Sequence, residues 1–267
     1  MKIEQKHLRF LVCMLGYLRN KQYLKGLKML DGGRFYIYNV GGMHIASESF
    51  NWYLTKEVLA REVQRVSCRY YQPKPGDTVV DVGAGLGEEI TVYTGLVGPT
   101  GAVYAIEANP SVYGVVKEVV ALNRFSNVQT FNLAINSRRE KVRIDDAPNS
   151  YLSSSLQNLT KGTVYEIPGL PLETFCAEQG IAEIDLLKVN IEGAERFLST
   201  AFSRPGLTVR NVAIACHDFR FEAEGNEFFR TKQLVTDYLE ASGYETQSQH
   251  TGTRYIDDWV YGKKRAV

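Results

Sequence analysis

The stretch Val79–Glu89, VVDVGAGLGEE, constrains the fold more than any other part of the chain. Val79, Val80 and Val82 have the composition of a strand buried on both faces, as in a parallel sheet. Gly83, Gly85 and Gly87 follow at alternate positions, so the chain turns there more tightly than side chains allow. A helix-like segment starts at once with Glu88. Strand, glycine turn and helix in that order let backbone N–H groups and a helix N-terminus face a ligand directly. The rest of the chain has to say which ligand.

Downstream of Val79–Glu89, strand and helix patterns alternate. Strands are predicted at Thr78–Val82, Ala102–Ile106, Val128–Ile135, Lys141–Asp145, Ile184–Val189, Asn211–Cys216, Tyr244–Gln249 and Trp259–Tyr261. Helices are predicted at Glu88–Leu96, Ser111–Asn123, Pro171–Gln179, from near Gly193, and at Thr231–Ser242, while the serine-rich stretch 146–163 reads as a loop. Such alternation predicts an α/β fold with a mostly parallel sheet, helices on both faces, and ligands beyond the carboxyl ends of the strands. Pro73-Lys74-Pro75-Gly76-Asp77 is strong punctuation. It divides the chain into an N-terminal extension, residues 1–72, and a domain of residues 73–267. In the extension, Leu8, Leu11, Leu15 and Leu18 predict a helix over 4–30, stopped by Asp31-Gly32-Gly33. Arg34–Val40 and Met43–Ala46 form a predicted hairpin, and a second helix runs from Ser49 to about Tyr71.

Composition removes several classes of function. A net charge of +1 argues against a dedicated polyanion surface, so no nucleic-acid partner is expected. Cys13, Cys68, Cys176 and Cys216 are far apart and make no CxxC pair or metal-ligand spacing. Reduced thiols in a cytoplasmic protein, and no metal site, are the reading. Nine uncharged residues separate Arg9 from Arg19, whereas a membrane-spanning helix needs about 20. No span is expected. Seven basic residues against Glu4 in the first 28 positions leave weak membrane-surface association open for this helix, beside packing on its own domain or on a second copy of the chain.

The residues just after each strand are the ones to question. Glu107 lies 24 positions beyond Gly83 and is followed by Ala108 and Asn109. A carboxylate at that place accepts hydrogen bonds from a ribose diol, in dinucleotide and other nucleoside sites alike. Glycine spacing separates the two. A dinucleotide fingerprint puts glycine or alanine at position 88, where helix and strand pack closely. This chain has Glu88 there and its third glycine one residue earlier, which disfavours a nicotinamide-dependent oxidoreductase.

Asp81–Gly87 and Ile106–Pro110 resemble the first two motifs of class I S-adenosylmethionine-dependent methyltransferases. Ile184–Glu195, IDLLKVNIEGAE, resembles the hallmark of the FkbM family within that class. Leu122-Asn123, Asn127-Val128, Ser153–Leu156, Pro171–Glu173 and the histidine after the fifth strand, His217, support the match. The resemblance implies a Rossmann-like, seven-stranded methyltransferase fold and methyl transfer from S-adenosylmethionine to a hydroxyl of a small molecule, sugar or glycoconjugate. It implies that the Gly83-Ala84-Gly85-Leu86-Gly87 turn approaches the amino-acid portion of the cofactor, with Asp81 near its ammonium group. Glu107, within Glu107-Ala108-Asn109, would hold the ribose, and Ala134-Ile135 would line the adenine pocket. Residues 1–70 match no family pattern, and a lid or an oligomer contact are the roles open to them.

A hydroxyl must lose its proton in the transfer. His217 is the first candidate base, since its ordinary pKa lies near neutral and it follows a strand on the ligand side. Glu192 is the second, and would equally well cap the following helix. Lys188, on a buried strand, is expected to pair with a carboxylate or to orient the acceptor, because an unpaired buried ammonium is costly. The family pattern has aspartate where this chain has Asn190, which cannot carry charge. Either that aspartate is dispensable, or this chain has a changed substrate or weakened activity, the last extending to a binding or regulatory protein with weak or lost turnover. Asp218 is a weaker candidate for the same mouth. Phe50, Trp52 and Tyr53 are candidates to fold over the acceptor, with core packing the alternative.

Overall fold

The computed structural model describes residues 25–48, 55–146 and 163–266. Three antiparallel strands come first: β1 (Lys25–Leu30), β2 (Phe35–Val40) and β3 (Met43–Ser47). Helix α1 (Lys56–Arg65) follows, started by Thr55, whose hydroxyl accepts the Val58 N–H. Next come β4 (Thr78–Val82), α2 (Glu88–Val97), β5 (Ala102–Ile106), α3 (Pro110–Asn123), β6 (Val128–Phe131), β7 (Ala134–Ile135) and β8 (Glu140–Asp146). The described chain continues with β9 (Thr163–Leu170), α4 (Leu172–Glu178), β10 (Glu183–Val189), β11 (Thr208–Ala215), α5 (Asp218–Glu224), α6 (Lys232–Ala241), β12 (Tyr244–Ser248), α7 (Arg254–Asp257) and β13 (Trp259–Lys264).

Seven strands make the central sheet in the order β12-β13-β11-β10-β4-β5-β6. All run parallel except β13, which is antiparallel to both its neighbours. Side chains alternate between two apolar layers. Val80, Val82, Ile106, Leu187, Val189 and Ile214 pack on one face with Leu172 and Phe175 of α4 and Leu239 of α6. Val79, Val103, Ala105, Leu186 and Ala213 pack on the other with Ile90, Tyr93 and Val97 of α2 and Val63 of α1. Burying each large apolar side chain contributes about 1.5–3 kcal/mol, so both layers favour this one register.

Residues 25–30 form a strand where leucine spacing predicts the end of a helix. Lys28, Met29 and Leu30 pair with Ile37, Tyr36 and Phe35, so cross-strand pairing outweighs local propensity there. The remainder of that helix, Phe50–Tyr53 and the Ser153–Leu156 loop lie outside the described residues. The small sheet belongs to the body of the fold. Phe35 and Ile37 share an apolar cluster with Leu86 of the glycine turn and Val112, Val115 and Val119 of α3. Asn123 locks it on, accepting the His44 N–H and donating to the His44 carbonyl, both at 2.8 Å.

The expected strand Val128–Ile135 is broken in two. Asn132 donates to the carbonyls of Glu107 and Ala108, at 2.9 and 3.0 Å, which draws the chain off the central sheet. β7 then joins a separate three-stranded sheet, β7-β9-β8. In it β9 was not expected; its polar residues and Pro168 hide a strand that pairs with β8 from Glu140↔Gly169 to Asp146↔Thr163. After Gly193 the predicted helix is two short 3-10 turns, Ala194–Phe197 and Ser199–Phe202.

Candidate active site

The site begins where β4 and β10 end side by side, with Val189 opposite Val82. The Asn190 N–H donates to the Val82 carbonyl at 2.9 Å, which carries the Asn190 carbonyl over the next residue of β4. Gly83 sits under it with φ +80°, and a Cβ there would lie 2.0 Å from that oxygen. Only glycine fits. The N–H groups of Gly83 and Ala84 both donate to the Ile106 carbonyl, at 2.9 and 3.0 Å, and that of Gly87 donates to the Ala84 carbonyl at 3.0 Å. The Gly85 N–H donates to Glu107 Oε2 at 3.0 Å. These four donors are satisfied within the protein, a correction to the expectation that the turn offers them to a ligand.

Above the turn opens a cleft of ≈ 930 Å³, counting the open space at its mouth. One end is an apolar slot of Ile106, Ala108, Leu133, Ala134, Ile135 and Ile144. Elsewhere Glu88, Glu89, Glu107 and Glu192 line it, with Lys188 the single cation among the lining residues. Burial pushes the Glu107 carboxyl up to about 7, against the pull of N–H donors from Asn109 and Gly85. The protein packed around Glu88 likewise raises that carboxyl to about 7. Both of Glu107's oxygens are fixed, since Oε1 accepts the Asn109 N–H at 2.8 Å. A negative, desolvated cleft of this kind favours a cation and repels a phosphate.

Lys188 is 3% exposed and stands opposite Asp81 on the neighbouring strand, in the apolar layer under α2. Its Nζ lies 2.9 Å from Asp81 Oδ1 and 2.8 Å from Glu89 Oε2, and donates to the Gly83 carbonyl at 2.9 Å. Burial alone would pull its pKa down, but Asp81 and Glu89 raise it, so the amine stays charged. Burial pushes Asp81 up to about 6 in spite of Lys188. Lys188 therefore ties the glycine turn to α2 through the carboxylate pairing expected of it. Asp185, from the same motif, holds the start of β4 by accepting the Thr78 N–H at 2.8 Å.

His217 ends β11 and is 3% exposed. Its Nδ1 lies 2.9 Å from Glu195 Oε1 and its Nε2 3.2 Å from Glu192 Oε1. Burial opposes its charge, but Glu195 and Glu192 outweigh burial and raise the ring to about 10. That environment favours the protonated imidazole, a form that cannot accept a proton from an acceptor hydroxyl. Arg220 Nη1 donates to Glu192 Oε2 at 2.6 Å. Burial would raise Glu192, yet His217 and Arg220 hold it below the usual carboxylate range. Glu192 also has φ +53°, a left-handed backbone that side-chain-bearing residues rarely adopt.

The structure brings Gly83, Ala84, Gly85, Glu107, Ala108, Ala134, Ile135, Lys188, Asn190 and Glu192 to one cleft. Five expected residues do not line it. Asp81 lies behind the turn on Lys188. Gly87, φ +85°, caps α2. Asn109 caps α3 through the N–H groups of Ser111 and Val112 and donates to Asp146 at 2.7 Å. His217 stands behind Glu192. Asp218 serves α6, accepting the N–H groups of Thr231 and Lys232 at 2.9 and 2.8 Å. Sequence reasoning missed Glu88 and Glu89 as cleft residues, although two adjacent acids after the turn were signal enough. It had no signal for Ile144.

A parallel sheet with one antiparallel strand, β13, inserted between β11 and β12, and this cleft at its carboxyl ends, define the class I methyltransferase fold. The sequence matches the family model of the methyltransferase FkbM domain over residues 81–246. The chain belongs to that family. An FkbM methyltransferase of Methylobacillus flagellatus is 17% identical, with a TM-score of 0.48 over 76% of this chain and 50% of that one. Aeropyrum pernix fibrillarin, solved with natively bound S-adenosyl-L-methionine, is 14% identical, with a TM-score of 0.43 over 90% and 97%. Precorrin-6y C5,15-methyltransferase of Geobacter metallireducens is 14% identical, with a TM-score of 0.44 over 79% and 90%. The family rests on the sequence match. A comparison with curated proteins finds no matching sequence. Among the described residues no helix is long and apolar enough to cross a membrane.

Proposed function

We propose that the protein is an O-methyltransferase acting on a hydroxyl of a small molecule, sugar or glycoconjugate. The observation that carries the reading is the cleft's chemistry. Its turn donors are already used, and four carboxylates face the space. That suits a donor bearing a sulfonium and an ammonium, and it disfavours the pyrophosphate of a nicotinamide cofactor. Glu107, with both oxygens fixed, would hold the ribose diol, the apolar slot the adenine, and Glu88 the ammonium in place of Asp81. The wall of Asn190, Ile191, Glu192 and Ala194 is then the acceptor side. The division at Pro73–Asp77 into an extension of residues 1–72 and a catalytic domain of residues 73–267 remains part of this proposal, as does a cytoplasmic location.

When bound, S-adenosylmethionine supplies an electrophilic methyl group, which the acceptor oxygen takes while the electron pair of the broken carbon–sulfur bond stays on sulfur. Glu192 accepts the hydrogen bond of the acceptor hydroxyl. As the oxygen gives up electron density its proton becomes strongly acidic, so a carboxylate held below its usual pKa is basic enough to receive it. Asn190 offers the acceptor a neutral donor and acceptor where the family pattern offers charge. Radiolabelled methyl transfer into a panel of hydroxyl and amine acceptors tests the reading: label in the hydroxyl acceptors supports it. Donor binding without product in any of them would favour a binding or regulatory role, which Asn190 motivates.

Donor affinity should depend on pH. Glu88 and Glu107, raised to about 7, must lose their protons before they attract a cation. S-adenosylmethionine affinity is expected to rise between about pH 6 and pH 8 and then level off, with proton release on binding. Over the interval from the ordinary 4.5 to about 7 the ligand-free protein should lose stability as pH rises, since the folded carboxyls keep protons that the unfolded chain releases. Calorimetry in buffers of different ionisation enthalpy reads the proton release directly. Affinity unchanged across that range would contradict the assignment of these two residues.

A further inference from the structure

Two observations at the acceptor wall have no part in the chemistry above. Glu192 is held in a left-handed backbone, followed by Gly193 at φ +94°. Gly193 is pinned, because a Cβ on it would lie 2.6 Å from the Phe228 ring and 2.8 Å from the Phe228 carbonyl. Behind Glu192, both ring nitrogens of buried His217 lie at ion-pair distance from carboxylates, Nδ1 2.9 Å from Glu195 Oε1 and Nε2 3.2 Å from Glu192 Oε1. A neutral imidazole has one N–H and one lone pair. Whichever nitrogen carried the lone pair would then meet a carboxylate oxygen in a dry site, so only the doubly protonated ring suits both neighbours.

We propose that His217 is a positioning residue, an imidazolium clamped between Glu195 and Glu192 that fixes the Glu192 carboxylate at the acceptor wall. Arg220, from α5, holds the other oxygen of Glu192 and lies 3.8 Å over the Phe229 ring. Glu195 is anchored by the Ile191 N–H at 3.2 Å, and its own carbonyl accepts the Tyr238 hydroxyl of α6 at 3.2 Å. Cys216, Asp218 and Asp258 are the other titratable groups gathered at this end of β11. The Asp218 carboxylate is occupied by α6 N–H groups, and that of Asp258 accepts the Phe219 N–H at 2.9 Å. The ring charge balances one of two buried carboxylates, and Arg220 offsets the other. A carboxylate set this way meets the acceptor hydroxyl without first reorganising.

The inference rests on the O-methyltransferase reading for its acceptor, but its first test does not. In the full-length, ligand-free protein, nitrogen–proton NMR should show both His217 ring N–H signals from about pH 6 to pH 9. Loss of one signal below about pH 8 would overturn the clamp. In the transfer assay, kcat should show no rising limb between about pH 6 and pH 8. His217→Ala should lower kcat about 100-fold with S-adenosylhomocysteine affinity kept. His217→Gln, which can still donate to Glu192, should recover part of the loss. Equal loss in both variants together with a rising limb near pH 7 would restore the histidine base and reject the proposal. If wild-type protein bound no S-adenosylhomocysteine, the functional reading would fail, while the NMR result would still decide the state of His217.

Discussion

Gly83→Ala should abolish S-adenosylhomocysteine binding and destabilise the protein by about 3 kcal/mol or more. The added methyl would sit 2.0 Å from the Asn190 carbonyl oxygen, a backbone atom that no rotamer change can move. Relief would require parting the ends of β4 and β10, which the hydrogen bond from Asn190 to Val82 holds together. Overpacking of this kind costs about 1–3 kcal/mol, and the left-handed backbone adds about 1–2 kcal/mol for any residue with a Cβ. Gly180→Ala is the matched control. It has φ +70°, and a methyl group added there would meet nothing within 4 Å, so it should show the conformational cost alone. Guanidinium unfolding of the two variants, with calorimetric titration of each, separates the clash from the strain.

Lys188→Met should be nearly as damaging, for an electrostatic reason. The variant removes the partner of Asp81, which is 0% exposed, and one of the contacts of Glu89. Breaking a buried ion pair from one side costs about 3–5 kcal/mol, because the remaining charge has no compensation. The loss should be larger at pH 8 than at pH 5. Asp81 already sits near 6 with its ammonium in place, so without Lys188 it would take up a proton at the lower pH and escape much of the penalty. Asp81→Asn added to Lys188→Met should recover part of the stability at pH 8. Urea unfolding at the two pH values reads all of this. A loss independent of pH would mean that packing of the lysine stem, and not its charge, is what matters.

The central sheet was legible because its strands are apolar on both faces and its punctuation is glycine and proline. Val79, Val80 and Val82 before Gly83 leave little choice. In the small sheet β8 was legible as Lys141–Asp145 but β9 was not, since Thr163–Leu170 carries polar residues and a proline and gains its strand character from pairing with β8. Residues 25–30 misled for the converse reason: leucines at helical spacing upstream concealed a strand that forms by pairing with β2. At the site, motif position located the cleft but not the direction of each side chain. Asp81 and Lys188 face each other across two strands 107 positions apart, a pairing that register alone determines. The state of His217 depends on Glu192 and Glu195 meeting its two nitrogens, and no linear pattern carries that.

That the carboxylate-lined cleft is the methyl-donor site is tested most directly by calorimetric titration of the full-length protein with S-adenosylhomocysteine and, separately, with NAD. S-adenosylhomocysteine should bind at a single site, NAD should give no measurable heat of binding, and Glu107→Ala should weaken the first by at least about tenfold. Tight binding of NAD with none of S-adenosylhomocysteine would contradict the assignment.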